Sequence, residues 1–545
     1  MTPILAAGMT LLGLGRRTTN MEKDSKLPVE DGINHNQHGD STSRKHSVIS
    51  RAGDIINASG HRDQLRRQYG LLSICGLALT VDNAWVALGT SITLAIANGG
   101  PPGVLYELIT AVVYYGFIAA SLAELASALP TAGGVYHWAS ITPGARAGRV
   151  IGFFTGSINF FGWIFDLASI VYVMSELLVQ MYVVYHPDLV IQSWHIFVAL
   201  VCICWLSIAV TIFGNKYLPY LQHFGLFMVV AGGIISVIVV AAMPSQHASR
   251  SFVWTDWENT TGWGSGVAFL TGVLNGAFAI GTPDSVTHMA EELPNPKVDI
   301  PKAIAAQIIL GGLTAFCYAV TILYGITDLD GVLNSNGAFP VAAIYSQATG
   351  SQGATFGLLF IIFLSLVPCL IGTFLTVGRT WWALARDNAT PFPKFFSKVS
   401  ERLSCPIPAT LLCGVLTTAF GAITLGSHTA FTDLTGTFVI LTTVSYALAI
   451  APNVITGRKN IPRGPFWMGT AGYWINVIAV TLIIFFDIMF CFPAVLPVST
   501  ESMNYNSVIL AGVTVLTAFW WLVHGIRKYP GPKLATLYIE GIEHS

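Results

Sequence analysis

Long apolar stretches, separated by short polar segments, make up most of this 545-residue chain. Each stretch is about 20 residues long, which is the length at which a helix crosses a bilayer. A spanning segment must satisfy its own backbone hydrogen bonds, and stretches of this length favour helices over strands. The pattern predicts an all-α integral membrane protein with twelve transmembrane helices, at residues 71–97, 103–129, 150–184, 194–213, 217–243, 264–293, 303–326, 355–384, 409–426, 430–455, 472–495 and 508–523.

The segments on either side of the spans are polar. Residues 1–67 are rich in Ser, Asn, His and mixed charge, a composition typical of disordered segments. Residues 68–528 contain all twelve predicted spans, and residues 529–545 form a short C-terminal tail. The chain is therefore predicted to be one transmembrane domain between two tails.

The composition excludes several other classes of protein. Charged residues are only 10% of the chain and hydrophobic residues are 53%, whereas soluble proteins have about 25% charged residues. A soluble globular protein, a wholly disordered chain and a nucleic-acid-binding protein are therefore excluded. Seven of the eight cysteines lie inside apolar runs and none has a second pair at metal-binding spacing, so we interpret them as packing residues. No metal or cofactor is predicted.

The distribution of positive charge tests the number of spans. An even number places both termini on the same side, and 26 of the 27 Lys and Arg residues then fall on that side. Only Arg250, between spans 5 and 6, lies opposite. Because Lys and Arg concentrate on the cytoplasmic side of membrane proteins, both termini are predicted to be cytoplasmic, in a multi-pass protein of the plasma membrane.

Two of the predicted spans contain polar residues that break a helix. Span 1 has the run 80–83, which includes Asp82, and span 6 has the run 281–285. In span 6, Thr282 is predicted to cap a new half-helix that begins at Pro283. The two breaks are about 200 residues apart, and paired breaks in two halves of a chain mark the central site of secondary transporters.

Three motifs carry a resemblance to a known family. They are LSICGLAL at 72–79 with the following residues 83–85, ELASALPTAGGVY at 124–136, and PDSVTH at 283–288 leading to EELPNP at 291–296. With them, the chain from about residue 66 to 528 resembles the amino acid–polyamine–organocation superfamily, within it the fungal amino acid/choline transporters. The resemblance implies a five-plus-five inverted repeat (71–243 and 264–455) followed by helices 11 and 12 (472–523), with the substrate between broken helices 1 and 6.

Acidic and aromatic residues within the spans are the candidate substrate ligands. No Lys or Arg lies near the predicted midplane to neutralise the acids, so a cationic substrate or protons are candidates for the missing positive charge. Aromatic faces beside a carboxylate suit a quaternary ammonium ion. In span 3, three candidates have the spacing i, i+4, i+7 and share one helical face. The predicted substrate-binding residues are Asp82, Asn83, Trp85, Asn159, Trp163, Asp166, Phe278, Gly281, Thr282, Asp284 and Ser285.

Two further groups of residues have predicted roles. His223 in span 5 and His288 after the break in span 6 are candidates for carrying a coupled proton, because the pKa of histidine is near neutral. The alternative is that each is a hydrogen-bonded packing residue. Glu124, Glu291 and Glu292 lie at cytoplasmic ends and are predicted to pair with Lys, Arg or loop backbone around an inner gate.

The function that follows is secondary active transport. We expect the chain to import a small nitrogenous compound, choline or an amino acid first and a polyamine next, by alternating access. Proton coupling is favoured over sodium coupling. A nutrient receptor on the same scaffold, with little or no net transport, is the alternative. No metalloprotease, nucleophile-elbow or P-loop motif is present in the sequence, so we do not expect an enzyme. The expected partners are the small-molecule substrate, protons and the lipid bilayer, and no nucleic acid.

Overall fold

The computed structural model describes residues 67, 69–333, 339–423, 425, 430–499 and 503–533, which are helical with no β-strand among them. Nearly all of the predicted N-terminal tail and the last part of the C-terminal tail lie outside these residues. The all-α prediction is confirmed for the described part of the chain.

The first half of the chain runs from α1 to α9. Within span 5, a π-helical turn at Met228–Gly232 separates two α-helices, and a 3₁₀ turn at Asn215–Tyr217 precedes them. In chain order the helices are α1 (Leu71–Asp82), α2 (Ala84–Thr90), α3 (Thr93–Ala128), α4 (Val135–Ile141), α5 (Ala145–Val183), α6 (Ser193–Phe213), α7 (Leu218–Phe227), α8 (Gly233–Ala242) and α9 (Arg250–Trp254).

The second half contains the remaining helices. A 3₁₀ helix at Ser285–Glu292 follows α10, and a π-helical turn at Trp521–Gly525 follows α19. The helices are α10 (Ser265–Ala279), α11 (Pro296–Tyr324), α12 (Leu329–Leu333), α13 (Pro340–Thr349), α14 (Gln352–Arg386), α15 (Pro393–Phe396), α16 (Ile407–Ile423), α17 (Ala430–Ile455), α18 (Ala471–Met489), α19 (Asn506–Trp520) and α20 (Ile526–Lys528).

Ten helical segments among the described residues are long and apolar enough to cross a membrane. They correspond to ten of the twelve predicted spans. The other two predicted spans, 6 and 9, correspond to the shorter apolar helices Ser265–Ala279 and Ile407–Ile423. Span 6 is short as a continuous helix because it is broken in the middle, as the sequence predicted.

The break in span 1 lies at Asn83. This residue has φ 39° and ψ 47°, in the left-handed region, and it separates α1 from α2. Asparagine is one of the few residues other than glycine that adopts this conformation without a large penalty, since its short amide side chain forms local hydrogen bonds. The predicted break in span 1 is therefore confirmed.

The break in span 6 differs in detail from the prediction. Helix α10 ends at Ala279, and the helix that follows is a 3₁₀ helix that begins at Ser285 rather than an α-helix that begins at Pro283. Thr282 does not cap it, because the Thr282 hydroxyl donates a hydrogen bond to Asp82 across the break. The predicted N-cap at Thr282 and the start at Pro283 are wrong for this reason.

The boundary between spans 1 and 2 is also shifted. Helix α2 ends at Thr90, and α3 begins at Thr93 and continues through a kink at Gly100, where φ is 65°. Pro101 has no N–H to donate to the carbonyl of Ala97. The backbone N–H of Thr260 donates to this carbonyl instead, at 3.0 Å. The predicted connection between spans 1 and 2 is therefore a kinked part of α3, and a hydrogen bond from a distant loop satisfies the carbonyl group at the kink.

The helices differ in how deeply they are buried. α5 is buried over most of its length, whereas α6 and α19 expose large apolar side chains. Leu206 and Phe213 on α6 are 68% and 74% exposed, and Val515 on α19 is 68% exposed. Apolar side chains with this exposure face a hydrocarbon solvent in a membrane protein, so α5 lies at the centre of the bundle and α6 and α19 at its periphery.

The packing of α10 on α3 requires glycine at position 276. A methyl group on Gly276 would lie 2.7 Å from Ala111 Cβ and 3.0 Å from Leu108 Cα. We therefore expect Gly276→Ala to destabilise the protein by about 1–3 kcal/mol, seen as a lower midpoint of thermal unfolding in detergent. Gly266→Ala on the same helix is the control, because nothing lies within 4 Å of a methyl group there. Equal midpoints for the two variants would contradict this account of the helix contact.

Candidate functional site

The two helix breaks meet at one carboxylate. Asp82 Oδ1 accepts hydrogen bonds from Thr282 Oγ1 at 3.0 Å and from Gln307 Nε2 at 2.9 Å. Gln307 Nε2 also donates a hydrogen bond to Thr282 Oγ1, at 3.0 Å. All three residues are buried. The Asp82 carboxylate therefore joins the end of α1 to the break in span 6 and to helix α11.

Gln307 is a site residue that the sequence reasoning missed. It is an uncharged amide within an otherwise apolar part of span 7, and it is fully buried. Asn159 was predicted because it shares a helical face with Trp163 and Asp166, whereas Gln307 has no acidic or aromatic neighbour at such a spacing. An isolated Gln in a predicted span was the available signal, since buried amides in membranes need hydrogen-bond partners.

Asn83 ties the first break to α14. Its Nδ2 atom donates to Ser365 Oγ at 3.0 Å, and both residues are buried. Next to this contact, Cys369 Sγ lies 3.4 Å from the backbone oxygen of Val81. The backbone and side chains of the unwound segment in span 1 therefore find partners on a neighbouring helix, as unwound backbone inside a membrane requires.

A cavity lies beside this junction, between α1, α2, α5, α10 and α14. Asp82 and Asp166 both line it, and its lining includes no Lys, Arg or His from the part of the chain that the structure describes. Phe278, the last aromatic residue of α10, contributes a ring, and the other walls are mainly aliphatic. The complete lining is Val81, Asp82, Asn83, Ala87, Thr90, Asp166, Ile170, Val173, Phe278, Thr282, Leu366 and Cys369.

The two acids in the cavity differ in how well their charge is compensated. Asp82 Oδ1 has two hydrogen-bond donors, but Asp82 Oδ2 and Asp166 Oδ2 have none among the described residues. Asp82 and Asp166 are 5% and 2% exposed, so solvent does little to stabilise them. A cation in the cavity would provide the missing electrostatic partner, because an isolated charge in a region of low dielectric is costly.

Asp284 belongs to a separate hydrogen-bond network. Its Oδ2 atom accepts from Asn159 Nδ2 at 3.0 Å and from Trp163 Nε1 at 3.2 Å, and its Oδ1 atom accepts from Tyr446 OH at 2.6 Å. The predicted shared face of Asn159 and Trp163 is therefore real, but these two side chains point to Asp284 rather than into the cavity. Tyr446 on α17 was not predicted, since a tyrosine in an aromatic-rich chain gives no distinctive signal.

His288 connects Asp284 to the loop after α3. Its Nε2 atom faces Asp284 Oδ2 at 3.5 Å, and its Nδ1 atom lies 3.1 Å from the carbonyl oxygen of Ala132. A carbonyl oxygen only accepts hydrogen bonds, so this contact favours a proton on Nδ1. His288 is fully buried and spans two elements of the fold.

His223 has different surroundings. It is half-buried on α7 beside Tyr220, whose ring is 71% exposed. The neighbouring residue Gln222 points inward instead, and its Nε2 atom donates to the carbonyl oxygen of Pro368 at 3.2 Å. The position in span 5 that faces the junction with α14 is therefore occupied by Gln222 rather than by the histidine.

Trp85 is directed away from the cavity. Its indole Nε1 donates to the carbonyl oxygen of Val229 at 3.1 Å, and its ring packs edge-on against Tyr318. Val229 lies in the π-helical turn of span 5, where the changed hydrogen-bond pattern leaves carbonyl groups free to accept. The sequence does not reveal this π-helical turn, so the direction of the Trp85 indole could not be predicted from it.

Two further predicted residues lie at the break in span 6. Gly281 has no room for a side chain, because a methyl group there would lie 2.6 Å from the carbonyl oxygen of Ala277 and 3.2 Å from Phe438. Ser285 is fully buried, and its hydroxyl has no hydrogen-bond partner among the described residues. Neither residue is part of the cavity lining, and both are closely surrounded by protein at the two ends of the break.

Each of the three predicted gate acids contacts an arginine. These contacts lie at the cation-rich end of the bundle, which is the end that carries 26 of the 27 Lys and Arg residues in the predicted topology. Arg379 Nε lies 2.5 Å from Glu292 Oε1, and Arg386 Nη2 lies 2.9 Å from Glu291 Oε1. Both pairs join the 3₁₀ helix of span 6 to α14. The third pair connects Glu124, on α3, to Arg458, in the segment after α17. Each arginine is at most 6% exposed, so these are buried ion pairs rather than surface contacts.

The end of span 12 adds a fourth contact at the same end of the bundle. Tyr529 OH lies 2.9 Å from Tyr136 OH, and Tyr136 donates to Asp387 Oδ2 at 3.2 Å. His137 Nε2 lies 3.1 Å from the same oxygen. Burial raises the pKa of the Tyr529 phenol, so it stays protonated and able to donate. Tyr529, which directly follows α20, is thus bonded to α4, a contact that the sequence did not predict.

No group of three or more His, Cys, Asp or Glu residues suited to a metal ion occurs among the described residues. The features with functional chemistry are therefore the acidic cavity, the Asp284 network and the buried ion pairs. Together they define a multi-pass helical membrane protein with polar groups gathered at two helix breaks.

Sequence comparisons identify the family. The sequence profile of the family described as amino acid permease matches residues 69–514. The choline transporter of Saccharomyces cerevisiae is 31% identical over 469 residues, which cover 85% of this chain and 83% of that protein. The 7-keto 8-aminopelargonic acid transporter of the same yeast is 27% identical over 84% of this chain and 93% of its own length. The amino-acid permease BAT1 of Arabidopsis thaliana is 24% identical over 87% and 94%.

The chain therefore belongs to the amino acid permease family of the amino acid–polyamine–organocation type. It is an integral membrane transporter of this family and not an enzyme. The resemblance drawn from its three motifs is confirmed.

The ion pair between Arg379 and Glu292 provides a test of the buried charges. We expect Arg379→Leu to destabilise the protein by about 3–5 kcal/mol, because it removes the arginine charge that faces the buried Glu292 carboxylate. The double variant Arg379→Leu/Glu292→Leu should be closer in stability to the original chain, since it removes both charges. Thermal unfolding in detergent measures both. A double variant as unstable as the sum of the two single variants would show that the pair does not behave as a buried ion pair.

Proposed function

We propose that this permease imports a small organic cation, with choline as the first candidate, by proton-coupled alternating access. The observation that carries the proposal is the lining of the cavity, which has two carboxylates and no basic residue. The similarity to a choline transporter over 85% of the chain supports it independently.

The charge of the cavity distinguishes between substrate classes. An amino acid substrate brings a carboxylate, which would need a positive partner, and the described residues that line the cavity include two carboxyl groups and no basic side chain. A quaternary ammonium ion has no such requirement. It is attracted both by carboxylates and by the face of an aromatic ring such as Phe278. We therefore rank choline above amino acids, with polyamines next.

Asp166 is the proposed principal counterion. Asp82 already accepts bonds from Thr282 and Gln307 through one oxygen, whereas no hydrogen bond to the Asp166 carboxylate is present among the described residues that line the cavity. Asp284, with three hydrogen-bond donors and a histidine around it, is proposed to hold the two sides of the site together rather than to touch the substrate.

Alternating access is supported by the contacts of the two breaks. Asp82 and Thr282 are 200 residues apart in sequence and hydrogen-bonded to each other. This agrees with a five-plus-five inverted repeat whose broken helices 1 and 6 face each other. The buried ion pairs of Glu124, Glu291 and Glu292 are proposed to hold the inner side closed, and they would have to separate when the site opens to the cytoplasm.

Proton coupling and orientation complete the proposal. Of the two histidine candidates, His288 is favoured over His223, since it contacts Asp284 within the bundle whereas His223 lies beside an exposed tyrosine. The side that carries 26 of the 27 Lys and Arg residues is proposed to be cytoplasmic, in the plasma membrane, with both termini on that side.

Uptake by the purified protein in proteoliposomes tests this function. We expect labelled choline to enter and to be displaced by excess choline, weakly displaced by amino acids, 4-aminobutyrate and polyamines, and not displaced by 3,3-dimethylbutan-1-ol, which has the shape of choline without its charge. The panel is measured at two pH values. Stronger competition by an amino acid than by choline would assign the site to amino acids, and saturable binding without uptake would indicate a receptor instead.

The role of Asp166 leads to a separate expectation. Asp166→Asn should raise the KM for choline by about tenfold or more, since a lost ion pair of about 1.4 kcal/mol corresponds to a factor of ten. The control is Asp487→Asn, at a half-buried carboxylate of α18 that accepts a hydrogen bond from Thr443 and lies outside the cavity lining. Initial rates of uptake across a range of choline concentrations give KM for both variants. An unchanged KM in Asp166→Asn would remove Asp166 from the binding site.

A further inference from the structure

Glu107 is a buried acid that lies outside the candidate substrate site. It lies on α3, about two helical turns after the kink at Gly100, and it is 0% exposed. Neither of its carboxyl oxygens has a hydrogen-bond partner among the described residues. An ionised carboxylate without partners in a membrane interior is very costly. In this conformation, Glu107 therefore carries a proton.

The carboxyl group of Glu107 rests directly on α10. A methyl group on Gly272 would overlap both carboxyl oxygens, so the absence of a side chain at that position creates the space that the group occupies. Four residues later, Gly276 packs against α3 in the same way. The same helix then ends beside the cavity, where Phe278 lines the wall. Glu107 thus touches the half of broken span 6 that leads to the substrate.

The ring of Trp257 lies near Glu107, on the side of the bundle opposite to the cation-rich end. The ring of Trp257 packs against Gly99 and lies 3.8 Å from where a methyl group on Gly103 would be, and Gly103 itself adjoins Glu107 Oε1. Trp257 is 37% exposed, so it lies at the surface of the bundle. Its loop is attached to the kink through the bond from Thr260 N to the carbonyl oxygen of Ala97. The loop that carries Trp257 therefore approaches Glu107 from the surface of the bundle.

The charged and titratable groups around Glu107 include no partner for it. Helix α10 carries no ionisable residue. The other elements that pack on α3 contribute one exposed arginine on α9, two acids in the loop after it, one acid on α18 and one buried phenol on α11, and α3 itself has a buried phenol two turns after Glu107. None of them forms an ion pair or hydrogen bond with Glu107 among the described contacts. These groups are Arg250, Asp256, Glu258, Asp487, Tyr114 and Tyr318.

We propose that Glu107 is a proton-binding site of the transport cycle, loaded from the outer side when the Trp257 loop moves and emptied when α10 leaves α3. This rests on the proposed function and on its orientation. The neutral carboxyl fits between α3 and α10 without partners, whereas the ionised carboxylate requires water. The charge of Glu107 therefore biases whether the outer half of span 6 stays packed, and this links proton release to movement at the wall of the substrate cavity.

Glu107→Gln separates this role from simple packing. Glutamine has the shape of the neutral acid and cannot release a proton, so a packing role would leave transport unchanged. A proton-binding role predicts two different effects. Exchange of choline across the membrane should continue at a rate within about threefold of the original, because it needs no net proton movement. Accumulation driven by a proton gradient should be lost.

The experiment uses the full chain in proteoliposomes, with a pH difference of two units, acid outside, and the membrane potential clamped at zero by potassium and valinomycin. One proton per choline supports a concentration ratio of up to about 100-fold under these conditions, since each pH unit is worth 1.36 kcal/mol. We expect the original chain to concentrate choline and Glu107→Gln to reach only the external concentration. Counterflow of labelled choline against unlabelled choline measures exchange in the same vesicles.

Glu176→Gln is the matched control. It makes the same chemical change at another acid, which is 8% exposed on α5 and not in the cavity lining, and both accumulation and exchange should persist. Gradient-driven accumulation by Glu107→Gln would overturn the assignment. Loss of exchange together with accumulation would also overturn it, because the residue would then act in a step common to both.

The original chain itself distinguishes the two proposals. If it exchanges choline but ignores the pH gradient, the proton site at Glu107 is wrong while cation transport stands. If it neither exchanges nor accumulates any compound of the competition panel, the proposed function fails, and the assignment of Glu107 fails with it.

Discussion

The absence of water from the membrane interior is the constraint on which the rest of this structure depends. A helix that unwinds there exposes N–H and C=O groups that lipid cannot satisfy. Spans 1 and 6 both unwind, and the residues at the two breaks bond to each other through Asp82 and Thr282, with Gln307 from α11 as a third member. Because these bonds occupy one side of the breaks, the other side is left to line the cavity. The position of the cavity thus follows from how the breaks satisfy each other.

The acids of the bundle fall into two groups with different chemistry. At the cation-rich end, Glu124, Glu291 and Glu292 are each neutralised by a buried arginine, so they hold helices together. Deeper in the bundle, Asp166 and Glu107 have no cation beside them among the described residues. The first group stabilises one arrangement of the helices, and the second group can respond to what enters the protein. In the transport cycle proposed above, the first group would hold one side closed and the second would bind cations or protons.

The sequence predicted the class of fold and the location of the breaks, but it did not predict side-chain directions. The positions of the spans follow from hydropathy, and the break in span 1 follows from a polar run in mid-span, although the left-handed conformation of Asn83 was not predicted. In contrast, Trp85 points to a π-helical turn, and the Asn159–Trp163 face points to Asp284. Thr282 was predicted to cap a helix, and it bonds to Asp82 instead. In each of these cases the deciding partner is distant in sequence, so local spacing holds no information about it.

The sequence by itself determined that this is a multi-pass helical membrane protein of the amino acid permease family, because hydropathy, charge asymmetry and three motifs are properties of the chain read in order. It also indicated the acids that matter at the breaks. Only the tertiary structure decided that Asp82 and Asp166 share one cavity, that Asp284 is enclosed by four side chains outside it, and that Glu107 lies unpaired against Gly272. The physical reason is that burial and hydrogen-bond partners depend on which helices pack together, and packing joins residues hundreds of positions apart.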